Sequence, residues 1–337
     1  MRITREILLK IVRDTTSQRA NADRSLISIY MCGSLLENDF MLGGTTDIDL
    51  VFIHADLTGA EREIVQLTDE VHLDIAHHSH KEYRHTRQLR LNPWFGPTVS
   101  RCQILYDPQH FMNFTQASVR GQFDRSDFIW ERARKLAEPA RQIWIDFHSQ
   151  DLEPGPEVVS GYLRAVELAA NAVASLSGPP LTVRRFLLNF PQRAEAVGQP
   201  GLYPGLLGLL GAPNVDVDTL RNWLLDWQLA YDALPSDEAL PELHPARQIY
   251  YRSAFEAILR SQQPLAALLP LLGTWTHAVR KLPEDASARA AWQAAFGRLG
   301  LLEGEFATRL VALDAYLDLI EETLEKWAQE NGVASFI

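Results

Sequence analysis

Cysteine is scarce. The 337 residues include two, Cys32 and Cys102, too few for a disulfide framework, and that favours a reducing cytosol. Cys32 falls in an apolar run and reads as a small core residue. Positive charge is also short: 32 Lys and Arg against 43 Asp and Glu leave a net charge of −11. Such a chain is a poor partner for a nucleic-acid backbone, which needs a net basic face. Long hydrophobic runs are missing too. The most apolar stretches, residues 201–213 and 264–275, are short and broken by glycine or proline, so neither can span a bilayer. The N-terminal MRITREILLKIVRD is amphipathic and lacks the apolar core of a secretory signal. A cytoplasmic chain with no membrane partner is the expectation.

What is present is ordinary for a globular protein: 46% apolar and 22% charged residues, enough to bury a substantial core. The length suggests two domains. Residues 3–19 have helical spacing of Ile7, Leu8, Ile11 and Val12. Apolar and β-branched runs predict strands over 26–32, 48–54, 71–78 and 102–107. Residues 79–91 read as a helix opened by a Ser79/Glu82 capping box and stopped by Asn92-Pro93. Beyond about residue 110 strand signals vanish. Helices are predicted over 125–149, 157–176, 182–196, 203–211, 216–233, 245–262, 264–281 (broken or kinked at Pro270), 285–299 and 302–330. Proline-rich turns at 235–245 are expected to divide them. The fold class is α+β: a small mixed-sheet domain over 1–115, then an all-α helical-bundle domain over 116–337.

The chemistry concentrates in MCGSLLENDFMLGGTTDIDLVFIHAD, residues 31–56. Asp47 and Asp49 are two apart on a strand, so both side chains share one face. Two carboxylates so close repel, and a divalent cation removes the conflict. Asp74, between Leu73 and Ile75 on another strand, points at the same spot if the two strands pair. Three carboxylates on adjacent strands make a cradle for Mg²⁺, with Mn²⁺ as the alternative ion, and suggest metal-assisted phosphoryl or nucleotidyl transfer. Gly33, leaving the first strand, lets backbone N–H groups approach phosphate oxygens, and the Ser34 hydroxyl adds a donor. A helix beginning at Leu35 would add its dipole.

These residues resemble a known family. Cys32-Gly33-Ser34, a spacer of twelve residues, Asp47-Ile48-Asp49-Leu50, then Leu73-Asp74-Ile75 is similar to the pattern of the DNA polymerase β-type nucleotidyltransferase superfamily. The layout looks most like small bacterial members, the antibiotic-modifying and minimal nucleotidyltransferases, some of which carry a helical C-terminal domain. The motif resemblance covers residues 26 to about 108. It implies an enzyme that moves a nucleoside monophosphate from an NTP, with ATP the expected donor, to a hydroxyl and releases pyrophosphate. It implies Asp47, Asp49 and Asp74 as metal ligands, Asp74 also activating the nucleophile. It implies Gly33, Ser34 and Thr46 at the nucleotide, Thr46 standing where a serine often precedes the first acid. The basic residue that members often carry after Gly-Ser is absent; Glu37 and Asp39 stand in that segment.

Other residues take second place. Lys81, Arg84, Arg87 and Arg90 step by three along the predicted helix. A solvated face is their commoner fate, but Arg84 and Arg87 are candidates to hold phosphates in place of the missing basic residue. His72, His77, His78 and His80 surround Asp74 without the spacing of a zinc site. On the helix over 157–176, Arg164, Glu167 and Asn171 oppose an apolar stripe, and Glu167 is the candidate acceptor contact or base. Arg184 and Arg185 are either surface or phosphate contacts. The expected acceptor is a hydroxyl of a small molecule, an antibiotic-like one among the candidates, or a partner protein that would be AMPylated. A non-catalytic nucleotide-binding module is the remaining alternative.

Overall fold

The computed structural model describes residues 3–56, 59–149, 153–235 and 241–333. They form two compact units, Met1–Asp124 and Arg125–Ile337. No helix among the described residues is long and apolar enough to cross a membrane.

The first unit opens with α1 (Arg5–Ala22), N-capped by Thr4, then β1 (Leu26–Cys32), β2 (Thr46–His54), β3 (Arg62–Gln66) and β4 (Val71–Ser79). Short helices α2 (Thr86–Leu91) and α3 (Phe95–Arg101) precede β5 (Gln103–Tyr106), and α4 (Phe111–Arg120) follows it. The strands form one mixed sheet in the order β3-β4-β2-β1-β5. Only β2 and β4 run parallel; the other pairs are antiparallel. Period-two alternation gives the sheet two faces. Ile29, Met31, Ile48, Leu50, Phe52, Leu73 and Ile75 pack with Leu8 and Val12 of α1 on one face. Tyr30, Val51 and Ile53 pack with Leu89, Val99, Met112 and Val119 of α2–α4 on the other. Burying apolar side chains on both faces is the main driving force of this layering, at roughly 25 cal/mol per Å².

The second unit is all helix: α5 (Ser126–Ser149), α6 (Pro156–Ala174), α7 (Phe186–Ala196), α8 (Leu202–Leu209), α9 (Val217–Asp232), α10 (Arg247–Leu259), α11 (Leu268–Lys281), α12 (Ser287–Arg298) and α13 (Glu303–Glu330). Helix α6 packs against α5, α11 and α13, and Val159, Tyr162, Val166, Ala169 and Val173 are fully buried on it. Hydrogen bonds cross this core: Tyr162 Oη donates to Leu209 O at 2.9 Å. The indoles of Trp227 and Trp292 donate to Thr274 and Thr276. Arg141 on α5 clamps Asp314, Asp318 and Glu321 on α13 at 2.6–2.8 Å.

The structure departs from the sequence reading at several places. Edge strand β3 was not expected, nor were α3 and α4 as separate helices. The helix expected over 79–91 is a 3-10 turn, His80–Tyr83, followed by α2, although the Ser79/Glu82 capping box forms. Lys81, Arg84, Arg87 and Arg90 therefore do not step along a single helix. The break expected at Pro270 comes earlier, between the 3-10 turn Pro264–Ala267 and α11; Pro270 sits in the first turn of α11, where no N–H donor is required. Within the proline-rich stretch 235–245, residues 236–240 lie outside the described residues, and Pro241–Leu243 form a 3-10 turn.

Candidate active site

The parallel pairing of β2 with β4 sets Asp49 opposite Asp74 and Asp47 opposite His72. Antiparallel pairing sets Cys32 of β1 opposite Asp49. Period two then carries Asp47, Asp49 and Asp74 to one face. Each offers a carboxylate oxygen, and these oxygens lie within 4.8 Å of one another, the one such group of metal-ligating side chains among the described residues. Asp47 and Asp74 are buried, and Asp49 is half-buried.

Gly33 makes room for this cluster. It ends β1 at φ +73°, ψ −160°, a region that is essentially glycine-only. A Cβ there would fall 1.7 Å from Asp49 Oδ2. The glycine therefore serves both the turn and the carboxylate that leans on its backbone. The loop that follows returns through a two-residue turn at Gly43 and Gly44, both at positive φ. Ser34 and the buried Thr46 both donate to the Phe40 carbonyl, at 3.4 and 2.9 Å, so these two hydroxyls anchor the loop to the strands. The helix expected at Leu35 is a single 3-10 turn, Ser34–Leu36, too short to supply a helix dipole.

One residue at this site escaped the sequence reading. Arg62, on edge strand β3, donates from Nε to Asp74 Oδ1 and from Nη2 to Asp74 Oδ2, each at 2.6 Å. Its side chain is 38% exposed while that of Asp74 is 4% exposed. The signal was the pattern Arg62-Glu63-Ile64-Val65-Gln66, a short apolar centre with polar ends. The Cys32 thiol registers the local field. Burial first, then Asp49, pushes its pKa well above the ordinary thiol value, and Arg62 opposes the rise.

The other candidates stand on other elements of the two units. Five residue steps of β4 run from Asp74 to Ser79, about 17 Å of strand, and Arg84 and Arg87 follow Ser79 in the chain. Arg84 is exposed and hydrogen-bonds His80 Nε2 at 2.9 Å; Arg87 is exposed on α2. Arg90 donates to the carbonyls of Ser118 and Val119. The histidines take separate partners: His77 Nδ1 meets His54 Nε2 at 2.9 Å, His78 meets Tyr83 Oη at 2.6 Å, and His80 meets Ala55 O at 2.8 Å. In the second unit Glu167 is half-buried on α6, and desolvation raises its pKa, opposed by Arg164. Asn171, expected beside it on an open stripe, is fully buried and staples the Leu181 backbone through both amide atoms. Arg184 is buried, donating to Tyr250 O at 3.1 Å.

Three carboxylates converging from two strands are a hard-oxygen donor set that suits Mg²⁺ or Mn²⁺ rather than zinc. The space that Gly33 leaves at Asp49 is consistent with that use.

No family model matches the chain, and no curated protein matches it. Among solved structures, a nucleotidyltransferase-like protein from Exiguobacterium sibiricum 255-15 is similar over 93% of this chain and 91% of that one. The identity is 11% and the TM-score 0.32, a likeness too loose to carry the chemistry, which has to come from the carboxylates themselves.

Proposed function

We propose that this chain is a metal-dependent nucleotidyltransferase. It joins a nucleoside monophosphate from an NTP, ATP by preference, to a hydroxyl of a small acceptor. The acceptor O–Pα bond forms, the Pα–O–Pβ bond breaks, pyrophosphate leaves, and the hydroxyl proton passes to a carboxylate. The observation that carries the proposal is the convergence of Asp47, Asp49 and Asp74 within 4.8 Å beside a glycine that has no room for a side chain.

Asp47, Asp49 and Asp74 would hold the divalent ions. Bound there, such ions would neutralise the triphosphate and lower the pKa of an attacking hydroxyl. The rest is the work of this chain's own residues. Gly33 keeps backbone close to Asp49 and open toward the ligand. Ser34 and Thr46 fix the loop through Phe40 O, which sets the orientation of the Gly33 peptide. Asp74 Oδ1 or Oδ2 takes the acceptor proton once its bond to Arg62 is given up. The acidic chain, with its net charge of −11, favours a cationic or neutral acceptor over nucleic acid.

Thermal melting with each of the four NTPs, with and without Mg²⁺, tests this on wild type and Asp47→Ala. A ligand that binds only the folded state raises the midpoint. The expected result is a Mg²⁺-dependent rise with ATP that disappears in Asp47→Ala, followed by pyrophosphate release once an acceptor is supplied. Absence of a shift with every NTP would overturn the proposal. It would favour a module without nucleotide chemistry, a reading for which the ion pair on Asp74 and the acids at Glu37 and Asp39 are the supporting observations.

A further inference from the structure

We infer that Arg62 is a displaceable counter-ion for Asp74, holding that carboxylate closed to metal until a cation competes it away. The inference rests on the reading of the three carboxylates as a metal cradle. It adds a positioning residue that the motif does not contain.

The geometry is specific. Arg62 engages both oxygens of Asp74 at 2.6 Å, the paired fork that makes arginine–carboxylate bonds directional and strong. A carboxylate so held has at least half of its lone-pair directions occupied. A metal sharing Asp74 with Asp47 and Asp49 must therefore either use the remaining lone pairs against a nearby positive charge or expel the guanidinium. Repulsion between two cations at one carboxylate favours expulsion.

The structure also gives Arg62 somewhere to go. It stands on an edge strand, and its side chain is 38% exposed. It lines a cavity of about 370 Å³ bordered by Asp23, His54, Asp56, Glu63 and His77. Solvent at this sheet edge is where a released guanidinium goes, since nearby acids are already engaged, Glu63 with Arg19 and His77 and Asp23 with Ser25 and His54. Arg62 supplies the positive charge that the segment Leu35–Asp39 lacks.

By linkage, metal and Arg62 weaken each other equally at Asp74. Binding of Mn²⁺ alone, followed by the electron paramagnetic resonance signal of the free ion, measures this on Arg62→Gln, Arg62→Lys and wild type. The expected result is about tenfold tighter Mn²⁺ binding in Arg62→Gln, with Arg62→Lys in between. The gain should vanish when Asp74→Asn is added. In parallel the metal-free melting temperature of Arg62→Gln should fall, while its rise on adding Mn²⁺ should exceed that of wild type. A purely structural role in β3 would lower the melting temperature without tightening Mn²⁺.

Equal or weaker Mn²⁺ binding in Arg62→Gln and Arg62→Lys, alongside wild-type binding that depends on Asp47, would overturn the role of Arg62 and leave the metal cradle standing. Failure of wild type and of both variants to bind Mn²⁺ would overturn both readings together. If Arg62→Gln does not fold, Arg62→Lys decides alone, since it keeps the charge and loses the fork.

Discussion

Gly33→Ala is the most demanding test of how the site is built. Two separate costs are visible. At φ +73° and ψ −160° an alanine sits in a backbone region worth about 1–3 kcal/mol of strain. Its Cβ would also stand 1.7 Å from Asp49 Oδ2 and 2.6 Å from Asp49 Cγ. The Asp49 side chain must leave its rotamer, which costs about 0.5–1.5 kcal/mol. Together the first unit should lose about 2–4 kcal/mol, a large share of the roughly 5–15 kcal/mol that holds a domain folded. The two costs separate in a double-mutant cycle. In an Asp49→Ala background the carboxylate is gone, and only the nearby Cβ of residue 49 remains at 3.1 Å. Gly33→Ala should then cost about 1 kcal/mol less than in wild type. The assay is urea unfolding read by hydrogen exchange at the β1 and β2 amides, which reports the first unit by itself. An equal cost in both backgrounds would refute the collision with Asp49. A total below about 1 kcal/mol would refute the strained backbone as well.

Three further outcomes follow from the same geometry. His54 is buried between Ser25 Oγ at 3.0 Å and His77 Nδ1 at 2.9 Å; burial, then His77, depress its pKa, against Asp23. The unfolded chain takes up a proton near pH 6.5 that the folded chain resists, so stability holds above that pH and falls below it toward the folded pKa. His54→Gln should flatten that fall, as urea midpoints from about pH 7.5 to about pH 5.5 would show; an unchanged slope would place the titration elsewhere. Ser79→Ala removes the capping box and should cost about 1 kcal/mol, read as faster exchange at the Lys81 amide. Arg141→Ala leaves Asp314, Asp318 and Glu321 facing one another on α13. It should destabilise the second unit by about 1–3 kcal/mol, and more at low salt, where repulsion is less screened.

Much of this architecture can be read from side-chain pattern, and the failures have physical causes. Strand β1 is legible to the residue because Leu26–Cys32 is apolar and β-branched and ends at a glycine. The long helices of the second unit are legible from spacing. Strand β3 is not, because an edge strand of five residues with exposed ends and no fully buried residue carries a weak apolar signal. Helix α3 carries Gly96 and Pro97, poor helix formers, and owes its form to packing of Val99 in the core. The three carboxylates were legible because a two-residue spacing and an isolated buried acid are local signals. Arg62 was not, since its meaning depends on β3 lying beside β4, a long-range pairing. Ser34 and Thr46 show the limit from the other side: their hydroxyls turn to Phe40 O, a loop contact that spacing alone does not announce.

Charge counting yields one more prediction, with a sign that is easy to get wrong. Asp74→Asn removes a buried partner from Arg62, and breaking a buried ion pair usually destabilises. Here the surroundings reverse the balance. Asp74 lies within 4.8 Å of both other carboxylates. At an effective dielectric of about 20 each such pair repels by roughly 3–4 kcal/mol, and the Arg62 attraction is of similar size. Removing the Asp74 charge relieves its repulsion with Asp47 and Asp49 and loses the attraction of Arg62. The guanidinium left behind is partly exposed and reaches water instead of standing buried and alone. Metal-free Asp74→Asn should therefore melt at or above the wild-type temperature, while Arg62→Gln melts below it. Adding Mn²⁺ should reverse that order, because Asp74→Asn has lost a ligand and Arg62→Gln has lost a competitor. A metal-free Asp74→Asn that melts well below wild type would refute this balance of charges, because the ion pair would then outweigh the crowding of acids.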